Sequence, residues 1–381
     1  MKSTILRMRY WRIVLFFACV TSNIIFWDIF LSRIGLRALA RNNRPRRLRN
    51  IAIRFRALAI RMGGVMIKVG QFLSARLDVL PPEITDELAG LQDEVPPVDY
   101  ESIRLQTELE LGSPLSKIFL TFDESPLAAA SLGQVHRAEL NAHEAETLGF
   151  KNVVVKVLRP HIEQIVDVDM SAIRVVGGWL KRYRPVSDRV NVPAIVEEFS
   201  ATLREEMDYL SEGKNAETFA ANFKGDENVY VPRVVWNHTS RRVLTLEDVT
   251  AIKITDYDAI TAAGINRADV AQGLFKAYLK QIFEDGFFHA DPHPGNIFIT
   301  PLPEKKQDGS TAWKLTFVDF GMVGRMPERL MEGLRETVIS VGLQDSSRLV
   351  KAYQMLGVLL PSANMKLLEE ASAQVFERFW G

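Results

Sequence analysis

Four short stretches hold side chains whose types and spacing suit chemistry on phosphate. The first is His289-Ala290-Asp291-Pro292-His293-Pro294-Gly295-Asn296, in which Asp291 and Asn296 stand five positions apart. At that spacing in a loop, a carboxylate can accept or orient a hydroxyl proton while an amide oxygen ligates Mg²⁺. Pro292, Pro294 and Gly295 stiffen and turn the backbone between them. The second stretch is Asp319-Phe320-Gly321, behind the mostly apolar run Leu315–Val318 and 23 residues beyond Asn296. A carboxylate at a strand end can chelate Mg²⁺ beside nucleotide phosphates. Alone that tripeptide is weak, because many strands end in Asp and a glycine turn. Its distance behind Asp291 and Asn296 gives it weight. Two other readings of the loop exist. His289, Asp291 and His293 alternate like zinc ligands, and a proline-rich turn needs no chemistry at all. The Asp-Phe-Gly stretch decides against zinc.

The third stretch is Lys156, set in Val153-Val154-Val155-Lys156-Val157-Leu158. A lysine inside a short apolar strand is costly unless its charge is matched. Its uses there are to hold the α- and β-phosphates of a nucleotide and to pair with a helical glutamate. Among the acids of Glu205-Glu206-Met207-Asp208-Tyr209-Leu210-Ser211-Glu212 we favour Glu212 as that partner. A solvent-facing edge-strand lysine is the plainer alternative. The fourth stretch, Leu127-Ala128-Ala129-Ala130-Ser131-Leu132-Gly133-Gln134, lies about 20 residues before Lys156, where a phosphate-covering loop belongs. Small side chains let backbone N–H groups approach phosphate, though alanine restricts positive φ. Considered alone, it could be a helical turn. Ala128, Ala129, Ala130, Ser131, Gly133, Lys156 and Glu247 form the expected nucleotide-contacting set.

These groups need elements to hold them. Apolar residues at three- and four-residue steps predict a helix from about Arg54 to Leu91, with a break at Pro81-Pro82. A further amphipathic helix is expected over 99–120. Gln134–Leu140, Val153–Leu158, Val229–Val235, Arg242–Leu246, Asn296–Thr300 and Lys314–Val318 read as strands. Helices are expected from Pro193 to Ala221 and from Arg267 to Glu284, where Leu274, Tyr278 and Ile282 share a face. The C-terminal end reads as helical. Strands early, helices late and no repeat predict an α+β chain of two lobes.

The chain has 381 residues, 47% hydrophobic and 25% charged, which excludes wholesale disorder, collagen and a many-spanning transporter. Its single cysteine, Cys19, excludes a disulfide framework and a cysteine-rich zinc site. Lys+Arg and Asp+Glu are both 47, yet the charge is uneven. Ile13–Leu31 carries one charge, Asp28, and just meets the length for a bilayer span, whereas no clean signal cleavage site follows it. Ile29–Leu77 holds eleven arginines, Lys68 and no acid. Aromatic residues are sparse there, so an anionic membrane surface suits it better than nucleic acid. The positive charge predicts a cytoplasmic side. A partner-packed N-terminal helix and a solvated Arg-rich helix are the plainer readings.

Together the four stretches resemble the UbiB/AarF/ADCK family of atypical kinases. The most specific further match is Lys68-Val69-Gly70-Gln71, the family's K-x-G-Q signature. Leu80-Pro81-Pro82-Glu83 and Leu91-Gln92-Asp93-Glu94-Val95-Pro96-Pro97 also look familial, as does the alanine-rich loop in place of a glycine-rich one. Glu206-Met207-Asp208 matches the family's E-x-D motif, and Glu212 falls at its lysine-pairing glutamate. The resemblance runs from about Arg54 to Gly324.

The resemblance implies a two-lobed, protein-kinase-like α+β fold with an N-terminal helical extension. It places Lys68 and Gln71 over the active site, against Glu206 and Asp208, in a way that disfavours protein substrates. It further implies ATP and Mg²⁺ as cofactors, with Asp291, Lys156, Glu212, Lys68 and Gln71 in the catalytic machinery and Asn296 and Asp319 on the metal. ATPase activity, membrane association and a role in ubiquinone or related prenyl-lipid synthesis or transport follow from it, with partner proteins of that synthesis. Four segments result: a membrane-anchoring helix and Arg-rich stretch (1–53), the helical extension (54–110), an N-lobe with the alanine loop and a helical insertion around 160–195 (111–255), and a C-lobe (256–381). Many bacterial members end in a pair of membrane helices. None precedes Phe379-Trp380-Gly381, so either the chain is truncated or it depends on its N-terminal anchor. A small-molecule phosphotransferase, a true protein kinase and a silent nucleotide-binding scaffold are the competing functions. The first lacks the K-x-G-Q extension, the second is opposed by it, and the third sits badly with intact Lys156, Asp291, Asn296 and Asp319.

Overall fold

The computed structural model describes residues 2–74, 80–91, 95–183, 187–188, 190–249, 251–360 and 362–380. Arg76 and Leu77 of the basic stretch, Gln92, Asp93 and Glu94 of the familial run, and parts of the 160–195 insertion lie outside them. The chain forms two compact units, Met1–Ser211 with Val234–Asp248, and Glu212–Arg233 with Val249–Gly381.

In the first unit, helix α1 (Lys2–Ile24) continues through a wider turn over Ile25–Phe30. Thr4–Phe30 is long and apolar enough to cross a membrane by length and composition. Helix α2 (Arg37–Met62) starts well before the expected Arg54 and stops at Gly63. Gly63 and Gly64 take φ of 61° and 57°, a left-handed region that glycine enters without penalty. The helical stretch expected over 54–91, with its break at Pro81-Pro82, is broken a second time at Gly63-Gly64, giving α2, α3 (Val65–Ser74) and α4 (Pro82–Leu88). The helix expected over 99–120 is α5 (Tyr100–Leu111). Asp99 caps its start through the Ser102 N–H, and Gly112 ends it at φ 70°.

A five-stranded antiparallel sheet follows, built from β1 (Phe119–Phe122), β2 (Ala128–Ala129), β3 (Gly133–Leu140), β4 (Asn152–Leu158) and β6 (Val243–Glu247). Their order is β1-β3-β4-β6, with β2 on β3. The two-residue period of β4 sends Val153, Val155 and Val157 into a core with Ile103, Phe119 and Leu140. Val154 and Lys156 face the other way. Beyond that face lie helices α6 (Ile162–Leu180) and α7 (Val192–Glu206), which join α1–α4 in a second core around Phe55, Met66, Met170 and Leu203. The helix expected over 193–221 breaks at Met207-Asp208 into α7 and α8 (Tyr209–Asn222), and α8 leads into the second unit.

His136 of β3 is fully buried under the stacked ring of Phe122. Its Nδ1 lies 2.8 Å from the Asp123 carbonyl, so Nδ1 carries the proton, and Nε2 accepts from Gln134 at 3.1 Å. Burial holds its pKa below the ordinary value. The unfolded chain therefore takes up a proton first, and the neutral ring's contribution to stability is present above about pH 6.5 and lost below it. Urea midpoints of the parent should fall from pH 7.5 to pH 5.5 by more than those of His136→Gln. Equal falls would remove His136 from the acid response.

In the second unit, β5 (Val229–Tyr230) is shorter than the expected 229–235, because only an isolated bridge from Val234 to Leu246 continues it, in the first unit. It pairs in parallel with β10 (Thr311–Phe317), which pairs antiparallel with β9 (Ile297–Lys305), and β9 with β7 (Ile252–Lys253). A second small sheet joins β8 (Phe287–His289) to β11 (Val323–Arg325). Helix α9 (Arg267–Lys280) ends in a π turn over Gln281–Asp285, and Gly286 at φ 59° turns the chain into β8. Helices α10 (Glu328–Leu343), α11 (Ser346–Leu356) and α12 (Met365–Trp380) complete the unit.

Candidate functional site

The first unit carries the alanine-rich loop and Lys156. Lys156 stands between Val135 and Leu244 in the sheet, half-buried, with its ammonium 5.5 Å from the centre of the Tyr209 ring. Ala128 is exposed, and Ala129 and Ala130 are partly so, whereas Ser131 and Gly133 are buried. Among the described residues, the buried Ser131 Oγ has no hydrogen-bond partner. Glycine at 133 is a matter of space rather than of φ. A Cβ there would meet the Tyr209 hydroxyl at 2.4 Å and the Val157 carbonyl at 3.0 Å. Glu247 ends β6. Arg159, just past Lys156, escaped the sequence reading. Its Nε donates to the Ala130 carbonyl and its Nη2 to the Pro96 carbonyl, both at 3.0 Å. Gln134 grips the same entry segment, bonding both the N–H and the carbonyl of Val98. A lone arginine after a strand gives no hint of such a clamp, because both carbonyls it bonds are remote in sequence.

In the same unit Lys68 forms an ion pair with Glu206 at 3.1 Å. Gly70 sets the helix close to its neighbour, since a Cβ there would fall 2.2 Å from Leu91 Cδ1 and 3.3 Å from Phe55. Gln71 donates to the Leu91 carbonyl at 3.2 Å. Asp208 accepts from the Ser211 N–H and caps α8.

The second unit carries Glu212, Asp291, Asn296 and Asp319. The register of β9 and β10 opposes Ile297 to Phe317, and the Val318 N–H donates to the Asn296 carbonyl at 3.0 Å. Asn296 and Asp319 thus leave the same end of one hairpin. The Asn296 amide donates to the Asp291 carboxylate at 2.8 Å and to its carbonyl at 3.3 Å. That fixes the orientation of the amide and turns its oxygen away from Asp291. Asp319 has φ 63°, a left-handed conformation costing about 1–3 kcal/mol outside glycine. Phe320 pins it there, 2% exposed, with its ring 5.1 Å from Phe219 and 5.3 Å from His289. Glu212 is 3% exposed. At Gly321 a Cβ would lie 3.3 Å from Asp319 Oδ1 and 3.8 Å from Glu212 Oε2, so the two carboxylates flank that glycine.

His289 is not placed as a metal ligand. It is buried, and its Nε2 donates to the Val318 carbonyl at 3.1 Å. Tyr278 on α9 lies behind the loop. Burial, reinforced by the Asp291 charge, pushes its hydroxyl up to about 12.

A hard, oxygen-loving cation fits this donor set: one carboxylate, Asp319, and one oriented amide oxygen, Asn296, at a hairpin end. Mg²⁺ bound so would neutralise phosphate charge. The Asn296 amide holds the Asp291 carboxylate beside this pair.

The ABC1 atypical kinase-like domain model matches residues 90–353. The chain is 40% identical over 308 residues to Activity of bc1 complex kinase 8, chloroplastic, of Arabidopsis thaliana, covering 80% of this chain and 38% of that one. It is 36% identical over 341 residues to a probable protein kinase UbiB of Xanthomonas campestris pv. campestris, covering 88% of this chain and 60% of that one. The chain therefore spans little more than a third to three fifths of these relatives. Among solved structures, Rv3197 of Mycobacterium tuberculosis, determined with erythromycin, superposes with a TM-score of 0.53 at 23% identity, over 86% of this chain and 78% of that one. The fold is the two-lobed, protein-kinase-like α+β fold that the resemblance implied.

Proposed function

The chain belongs to the ABC1 (UbiB/ADCK) atypical kinase-like family, and on that premise we propose that it binds ATP with Mg²⁺, transfers or hydrolyses the γ-phosphate at a membrane, and supports ubiquinone or related prenyl-lipid synthesis or transport. The observation that carries the reading is the hairpin register that delivers Asn296 and Asp319 together, with Asp291 bonded to Asn296. Asn296 and Asp319 would hold the metal. Lys156 would hold the α- and β-phosphates, with Glu212 as its helical partner, under the Ala128–Ala130 backbone. Asp291 would orient the attacking hydroxyl or water. The test is purified protein with radiolabelled ATP, with and without Mg²⁺, anionic liposomes and quinone-precursor mimics. Phosphate release that needs Mg²⁺ and vanishes in Asp291→Asn is expected. A protein that neither binds nor turns over ATP under any of these conditions overturns the proposal.

The extension serves as a cover in this reading. The Lys68–Glu206 pair holds α3 to the end of α7. Lys68→Ala should loosen the cover and admit other acceptors. Each ~1.36 kcal/mol of lost restraint is worth a factor of ten in rate. More self-phosphorylation by mass spectrometry and less lipid-stimulated phosphate release are expected. Parental behaviour in both assays would make Lys68 a structural residue only.

A further inference from the structure

Thr4–Phe30 could cross a bilayer by length and composition, and the membrane association proposed above, on which this inference rests, does not decide whether it does. The packing of α1 does. One side of the helix is committed to protein. Arg9 holds Asp169 of α6 through two bonds of 2.6 Å, Ile13 is fully buried, and Phe16 and Phe17 lie 6.0 Å from the Phe55 ring of α2. Asp28, the one charge of the apolar run, is bonded to Arg47 of α2 at 2.7 Å. Arg47 also reaches Asn23 and lies over the Trp27 ring. A crossing helix would carry Arg47 and its neighbouring arginines into hydrocarbon, along with Asp169, and ionised groups there are costly.

The opposite side of α1 is bare. Ile5, Met8, Trp11, Leu15, Phe26 and Phe30 are exposed and follow one stripe at three- and four-residue steps, with Cys19 and Ser22 filling its middle. Exposed Arg7 and Arg12 border it on α1, and Arg37, Arg41 and Arg44 are exposed on α2. Asp28 is the only acid in residues 1–77, and Arg47 already neutralises it. The surface that fits is apolar in depth and anionic on top, which describes an anionic lipid bilayer. A second copy of the chain would set arginines against arginines.

We propose that α1 lies along an anionic membrane rather than across it, its apolar stripe at the boundary between headgroups and acyl chains and the arginines of α1 and α2 on the headgroups. Cys19, the single cysteine, is exposed on the stripe and near the middle of Thr4–Phe30. A crossing helix would put it at the bilayer midplane.

The experiment labels Cys19 of the full chain with an environment-sensitive fluorophore. Sealed phosphatidylcholine vesicles, with or without phosphatidylglycerol, carry nitroxides near the headgroup or at the acyl-chain end. Headgroup nitroxides should quench the label more strongly than chain-end ones, and binding should require phosphatidylglycerol. Trp11→Ser with Phe26→Ser should weaken partition by at least about tenfold, in line with lost apolar burial. Arg41→Gln with Arg44→Gln should weaken it on anionic vesicles alone. Thermal shift with Mg-ATP, read on the same samples, should be unchanged in both double variants. Stronger quenching from the chain ends means a crossing helix and overturns the inference while membrane association stands. Equal binding to phosphatidylcholine alone overturns it too. A solution dimer that shields the label and binds no vesicles overturns both this inference and the membrane part of the proposed function, leaving the Mg-ATP response as the separate measure of nucleotide binding.

Discussion

Asp319→Asn should weaken Mg-ATP binding by at least about tenfold, roughly 1.4 kcal/mol. The hairpin end offers one carboxylate and one amide oxygen to a cation. Substituting the carboxylate removes the only formal negative charge of that pair and keeps the shape. Asn also tolerates the left-handed φ of 63° at this position, so the backbone should stay as it is. The effect is then electrostatic and not a matter of folding. Calorimetric titration with Mg-ATP and with ATP in chelator separates the two: the parent should lose affinity on chelation, and the variant should change little. Unchanged Mg-ATP affinity in Asp319→Asn would take the metal away from this residue.

Arg9→Gln should destabilise the protein by about 3–5 kcal/mol, the usual result of stranding one partner of a buried ion pair. Arg9 bonds both oxygens of Asp169, and its Nη1 donates to the Met62 carbonyl at 2.7 Å. The Asp169 side chain is fully buried. Burial already pushes its carboxyl up, with Arg9 pulling the other way. Without Arg9 that rise goes uncompensated. A group whose folded pKa is raised stabilises at low pH and loses that contribution as pH rises through the folded value. The loss should therefore be larger at pH 7 than at pH 5. Urea unfolding at both pH values measures it, and Asp169→Asn added to Arg9→Gln should recover part. A loss that does not depend on pH would mean that packing, not charge, is at stake. Deleting residues 1–31 outright would strip the same partner from Asp169, so such a deletion reports stability as well as membrane binding.

The chemistry-bearing residues were legible because their signals are local. Asp291 with Asn296, the Asp-Phe-Gly turn and Lys156 in its strand each fit within eight residues, and β3, β4 and β10 fell within a few residues of expectation. The helices of the N-terminal half were less legible. Apolar periodicity ran straight across Gly63-Gly64, and nothing in it reports that both glycines take positive φ. Arg9 is one of several basic residues ahead of the apolar run, and nothing local reports that its partner is 160 positions away. Arg159 read as nothing, because its acceptors are backbone carbonyls, which look alike in any sequence. The zinc reading of His289, already set aside in favour of the Asp-Phe-Gly stretch, shows the same limit. A histidine used as a buried packing and hydrogen-bonding group has the same letter as one used as a ligand.

Helix α8 meets the Asp-Phe-Gly turn through residues spaced as neighbours on one face. Glu212 lies beside Gly321, Asn215 donates to the Phe320 carbonyl at 3.1 Å, and the Phe219 ring packs at a tilt against the Phe320 ring. Helix and turn are thereby one moving part. If the Phe320 ring left its slot, Asp319 would lose what holds it in a strained conformation, and the same departure would unseat the face that presents Glu212. On the proposed reading, a ligand held by the Asp319 carboxylate would also stiffen α8, and a tilt of α8 would displace Asp319 without touching it.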